Sequence, residues 1–208
     1  QTLVAPMARV YDIRKNQRKT IKLAGYCTEA SDRSPSSDGS FAVGMTKDSS
    51  LLSLVNYFNK NGIKDKSAIQ EAVWSVTNNE SIANVHLTDE TRSNALRSHL
   101  AGITNRPIPW HNSRRNISTN ENGYISRSTT KVFANVSFAN DIETSIQSKV
   151  VNSTGATEYE SGKSYKIPKA YKINLKFELE VSGWQRGDYA VIYYNTEGDT
   201  LMKKDFTL

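Results

Sequence analysis

Cysteine is nearly absent: among 208 residues there is one, Cys27. A single cysteine excludes any disulfide within the chain, so an exported protein with this sequence carries an odd thiol that needs a reason to be there. No run is apolar enough or long enough to span a membrane as a helix. There are three histidines, His86, His99 and His111, and none has metal-ligand spacing with Cys27, which argues against a zinc site. No glycine-rich phosphate loop and no serine nucleophile elbow occur, so nothing calls for a nucleotide, a metal or another cofactor. Internal repeats and low-complexity segments are also lacking.

What is present is an ordinary globular balance, 37% hydrophobic and 23% charged, enough for one large or two small domains with real cores. The net charge is +6. The cations are scattered except at Arg14-Lys15, Arg18-Lys19 and Arg114-Arg115. A basic balance suits nucleic acid, an anionic cell surface or plain solubility, but no nucleic-acid motif accompanies it. Gln1 stands where an initiator methionine would be, as it would after signal-peptide removal or at a boundary within a longer protein. With the Ser/Thr/Asn-rich, Tyr-rich composition, this gives the expectation of a secreted or cell-surface protein.

The first half alternates strand and helix signals. Residues 2 to 13 and 19 to 28 read as two strands around a polar Lys15–Arg18 loop, the second delivering Cys27 near its end. Residues 31 to 40 read as a loop, either a lid over the cysteine or a connector. Ser49 or Ser50 caps an expected helix carrying Leu51, Leu52, Leu54, Val55 and Phe58, which Gly62 ends. Asp65 caps a second from Lys66 to about Thr77, with Ile69, Ala72, Val73 and Val76 inward and Gln70 and Trp74 one turn apart on a neighbouring stripe. A third begins at Thr88 or Asp89, turns Leu96 and Leu100 inward and stops at Gly102.

Residues 106 to 122, with Pro107, Pro109 and an Asn/Ser/Thr run, read as a linker or long loop. Beyond it the pattern is β. Strands are expected at 130–138, 142–151, 171–181, 189–194 and 200–208, the alternation from Tyr171 to Val181 being unbroken. Asn195–Asp199 forms a hairpin turn. Short strands at this spacing predict an immunoglobulin-like β-sandwich. The ending, Gly187-Asp188-Tyr189-Ala190-Val191 followed by Gly198-Asp199-Thr200-Leu201, resembles small β-modules of Bacteroidetes surface proteins.

Two stretches carry the chemistry: Gly25-Tyr26-Cys27-Thr28, and Ile69-Gln70-Glu71-Ala72-Val73-Trp74, whose glutamine follows the cysteine by 43 positions. A cysteine sulfur and a glutamine carboxamide can condense with loss of ammonia. The two stretches resemble the thioester domains of bacterial surface adhesins, which place an aromatic residue or leucine before the cysteine and the glutamine in an apolar-Gln-any-apolar-apolar-Trp pattern. Ser34-Pro35-Ser36-Ser37-Asp38-Gly39 after the cysteine, and the Leu-rich helix that follows, are similar too; the likeness covers roughly residues 20 to 80. It implies a Cys27–Gln70 thioester, enclosed by Tyr26 and Trp74, that a partner amine such as a lysine opens to form a covalent amide. The protein would then be an anchor that reacts once with a protein partner, and not an enzyme. Read from the residues alone, Cys27 also fits a small buried hydrophobe or a free reactive thiol, Trp74 a core aromatic, and Gln70 a half-exposed helix residue.

The expectation is therefore an α+β chain: a thioester-domain-like α/β unit at 1–105, a linker or long loop at 106–122, and a β-sandwich at 123–208. The alternative function is a non-covalent structural subunit of a bacterial surface or secretion assembly. A cysteine protease would require a histidine within hydrogen-bond reach of Cys27.

Overall fold

The computed structural model describes residues 2–5, 14–20, 22–33, 40, 42 and 44–208. The described residues form a mixed α+β fold of three α-helices and mostly antiparallel sheets, and the chain divides into two compact units, Gln1–Arg127 and Ser128–Leu208. Most of the expected first strand and the Ser34–Gly39 segment lie outside the described residues.

In the first unit, β1 (Leu3–Val4) pairs antiparallel with β2 (Tyr26–Cys27), Leu3 opposite Cys27. The second expected strand is thus regular only at its end; described residues 22–25 form no ladder. Helix α1 (Ser49–Asn61) turns Leu51, Leu54 and Phe58 inward, while Leu52 remains exposed. Its cap is Asp48 rather than Ser49 or Ser50. The carboxylate accepts from the Ser50 and Leu51 N–H groups at 2.8 and 3.0 Å, and an anion at this end also meets the positive pole of the helix. Asp48→Ala should cost about 1 kcal/mol, read as a lower urea midpoint at unchanged slope. Gly62 ends α1 in the left-handed region, φ 59°.

Helix α2 (Lys66–Thr77) is capped by Asp65, and α3 (Glu90–Thr104) by Asp89. The third helix passes Gly102 and stops when Asn105 takes the left-handed turn. Tyr26, Leu54, Phe58, Ile63, Ile69, Ala72, Val73, Ile82, Val85, Leu96 and Leu100 form the apolar core. At about 0.8 kcal/mol per buried methylene, this cluster supplies the main drive for folding the unit.

Where a linker or long loop was expected, the chain is tied down and then enters β3 (Asn112–Thr119). The buried Arg97 guanidinium donates to Pro109 O and His111 O at 2.8 and 2.7 Å and to Asn112 Oδ1 at 2.6 Å. Arg106 reaches back to Ser75 O and Glu80 O. These bonds satisfy backbone carbonyls that a free linker would leave to water. A turn at Asn120–Gly123 joins β3 to its neighbour β4 (Ile125–Asn140).

The second unit holds the rest of β4 with β5 (Thr144–Asn152), β6 (Thr157–Glu160), β7 (Tyr165–Ile167), β8 (Ala170–Glu180), β9 (Asp188–Asn195) and β10 (Thr200–Thr207). One sheet runs β10-β9-β5-β6, with β7 beside β6 on the same side of β5; the other runs β3-β4-β8. Val132, Ala134 and Val136 on β4 and Ile173, Phe177 and Leu179 on β8 are buried at alternate positions, as are Ile146 and Val150 on β5. Rings from the two sheets meet, with Phe138 and Tyr193 centroids 6.4 Å apart. Among the described residues no helix is long and apolar enough to cross a membrane.

Candidate functional site

The backbone from Tyr26 to Ala30 lies along α2, and the helix supplies the partners that this short strand lacks. Gln70 Oε1 accepts from Cys27 N–H at 3.1 Å, and Gln70 Nε2 donates to Cys27 O at 2.8 Å. Two turns on, Thr77 Oγ1 donates to Thr28 O at 2.7 Å, and Asn78 Oδ1 accepts from Ala30 N–H at 3.2 Å. The spacing matches. Eight residues of helix rise about 12 Å, and three residues of extended chain span about 10 Å, so bonds can form at both ends.

This arrangement sets the flat carboxamide of Gln70 against the peptide groups of the residue that carries the thiol. Its plane and both of its polar atoms are fixed by the two hydrogen bonds. Cys27 is partly buried and makes no disulfide. Burial pushes its thiol pKa up, and the nearby Glu29 and Asp32 charges add to this. The sulfur is therefore held as a neutral thiol around pH 7.

Tyr26 is buried in the apolar core beside this pair. Trp74 is only 1% exposed but is not part of that apolar cluster; the Arg127 guanidinium sits over its ring, 5.2 Å from the centroid. The structure thus brings Cys27 and Gln70 into direct contact, with Tyr26 adjacent in chain and core and Trp74 one turn along α2.

The sequence reading missed an ionic cluster on the same helix. Glu71, taken as the free position of the motif, is 3% exposed. Arg115 stands 3.6 Å from it but gives its close contact, 2.7 Å, to Glu80, which also pairs with Arg127. Neither Glu71 oxygen has a hydrogen-bond partner among the described residues. Burial therefore outweighs the attraction of Arg115 and raises the Glu71 pKa from 4.5 to about 7, while the two arginines hold Glu80 below its usual value. One signal was available: Ser113 and Arg115 alternate on one side of β3, and Arg115 belongs to a basic pair in the sequence.

Native Glu71 holds its proton more tightly than the unfolded chain does, so its contribution is most favourable below about pH 4.5 and is lost as pH rises through about 7. Glu80 acts in the opposite sense, in a lower range. Denaturant titrations of wild type and Glu71→Gln from pH 5 to 8 should diverge, with the wild type losing on the order of 2–3 kcal/mol relative to the variant as pH rises. Parallel curves would place an ionised, well-compensated Glu71 in the native protein.

The histidines have other settings. His99 stacks on Tyr57 with centroids 4.4 Å apart. His86 Nδ1 lies 3.3 Å from Asn84 O. His111 is buried, and that burial, with Arg97 nearby, lowers its pKa to about 4. The hydrogen bonds described at Cys27 run to Gln70.

No protein-family model and no curated protein matches the sequence. Among solved structures, an endonuclease/exonuclease/phosphatase from Beutenbergia cavernae is similar over 50% of this chain and 28% of its own, at 11% identity and a TM-score of 0.23. A likeness that slight bears on neither fold nor function.

Proposed function

We propose that this is an exported, adhesin-like bacterial surface protein in which Cys27 and Gln70 condense to an internal thioester that captures a lysine amine of a protein partner. The observation that carries the reading is the paired hydrogen bond between the Gln70 carboxamide and the Cys27 backbone. These bonds hold the carboxamide beside the residue that carries the thiol, which supports the reading because part of the entropic cost of bringing the two groups together is then met before they react. When Sγ adds to the Gln70 amide carbon, negative charge develops on Oε1, where Cys27 N–H already donates. Cys27 O holds the leaving nitrogen. The thiol proton ends on that nitrogen, the C–N bond breaks and ammonia departs. In the second step a lysine amine adds to the same carbon, the C–S bond breaks, and a proton passes from nitrogen to sulfur. The group is consumed, so the protein anchors rather than turns over, and it needs no metal or cofactor for these steps.

We read the second unit as an immunoglobulin-like β-sandwich that presents the first. The neighbour orders β4-β8 and β10-β9-β5 correspond to strands B-E and G-F-C of that fold. Tyr189, at the start of β9, donates from its hydroxyl to Gln185 O at 2.8 Å, which is the tyrosine-corner contact of such modules.

Intact mass tests the bond. A thioester lacks one ammonia relative to the sequence, and Cys27→Ala should not show that deficit. Pyroglutamate formation at Gln1 also loses ammonia, but persists in the variant. A second reading, the non-covalent assembly subunit, is favoured by one observation: the Gln70 bonds belong to a set with Thr77 and Asn78 that docks the strand whether or not sulfur reacts. An uncondensed mass selects it.

A further inference from the structure

We propose that β8 is a self-association edge, through which two copies of this chain pair as antiparallel strands about a two-fold axis. Strand β8 is 11 residues long and ends the β3-β4-β8 sheet, and no described strand pairs with its other side. The ladder phase identifies which groups are free. Val181 N–H donates to Thr130 O at 2.8 Å, so in an antiparallel ladder the alternate residues Leu179, Phe177, Leu175 and Ile173 turn their peptide groups to β4. The peptide groups of Asn174, Lys176, Glu178 and Glu180 therefore point to the open edge, a template for strand addition.

The occupant follows from the charge pattern. Cations stand in the first part of the exposed face, Lys172 and Lys176, and carboxylates in the last, Glu178 and Glu180. Such a strand is complementary to itself when reversed. With Phe177 on the axis, Lys176 of each copy lies opposite Glu178 of the other, so the favourable pair occurs twice. The outward peptide groups of residues 176 and 178 then meet each other, as backbone hydrogen bonding requires. A shift that places Lys176 on the axis keeps two opposite-charge pairs, Lys172 with Glu180, but sets the two Lys176 side chains against each other, so charge favours the Phe177 register by that one like-charge contact. Lys131 and Lys176 already flank Glu178 within one copy, and a second Lys176 extends that network.

Sedimentation equilibrium of the full chain over a range of concentrations tests this. Wild type should approach the mass of two chains. Lys176→Glu and Glu178→Lys each place like charges opposite one another twice, and each should weaken association about tenfold or more. An equal mixture of the two variants restores both opposite-charge pairs, so it should form a mixed dimer where neither variant dimerises alone. Wild type that stays at one chain's mass overturns the proposal, as does a dimer that both substitutions leave intact or a mixture that associates no better than its components.

Discussion

Trp74→Ala should lower the stability of the first unit by about 3–5 kcal/mol, the usual cost of deleting a buried large aromatic. For a unit of this size that is a fall of about 10–20 °C in its melting temperature. The indole is almost wholly enclosed, so its loss leaves a cavity in a helix buried on nearly every side: Ala68, Ile69, Glu71, Ala72, Val73 and Ser75 are also buried. It also strips the Arg127 guanidinium of the ring beneath it. Gln70→Ala is the comparison. From the sequence Gln70 reads as a half-exposed helix residue whose loss costs little. Its two bonds to Cys27 raise that to about 1–3 kcal/mol, because the Cys27 N–H and C=O are left without partners. The order nonetheless stands, and equal melting temperatures for the two variants would remove Trp74 from the core.

The features legible in the sequence were those set by local rules. Asp65 and Asp89 cap their helices, Gly62 ends α1, and Leu96 and Leu100 face inward, because capping and helical spacing act over a few residues. The alternation from Tyr171 to Val181 gave β8 almost to the residue. Misses came where tertiary contacts decide. Strand β3 buries Ser113 and packs Arg115 against α2, so its inner face is polar and gives no apolar period. Strands β6 and β7, of 4 and 3 residues, are almost entirely exposed and sit among turn-formers, so neither alternation nor burial marked them. Asp48 displaced the serines as cap because its carboxylate reaches two N–H groups from one position earlier. Glu71 was hidden for a physical reason as well. A glutamate in a helix reads as solvated, and only the partners from β3 and from Glu80 show why this one is not.

The candidate site divides along the same line. The pairing of Cys27 with Gln70 rested on a resemblance in two short motifs, and the structure places those two residues in contact. The helix-to-strand staples at Thr77 and Asn78 had no motif to reveal them, since they depend on how β2 lies along α2.

Methylamine should convert a thiol that resists alkylation into one that labels, and should leave a methylated amide on Gln70. If Cys27 and Gln70 are joined, the sulfur has no S–H to lose and cannot be alkylated. A small amine adds to the Gln70 carbonyl carbon, the C–S bond breaks and the proton from nitrogen goes to sulfur, so amine uptake and thiol release occur in equal amounts. Resistance to alkylation alone decides nothing, because burial with Glu29 and Asp32 nearby also raises the thiol pKa and slows a free Cys27. The variants separate the cases. Cys27→Ala removes the sulfur and Gln70→Ala the acyl carbon, so both should take up no amine; Gln70→Ala alone keeps a thiol that labels without amine, at the slow rate its raised pKa sets. Peptide mapping after methylamine treatment should find the added group at residue 70 and nowhere else in the chain. Native protein that takes up no amine, with a mass equal to the uncondensed sequence once Gln1 cyclisation is allowed for, would show that the Gln70 bonds serve only to dock β2 on its helix, and the non-covalent subunit would then be the function to test.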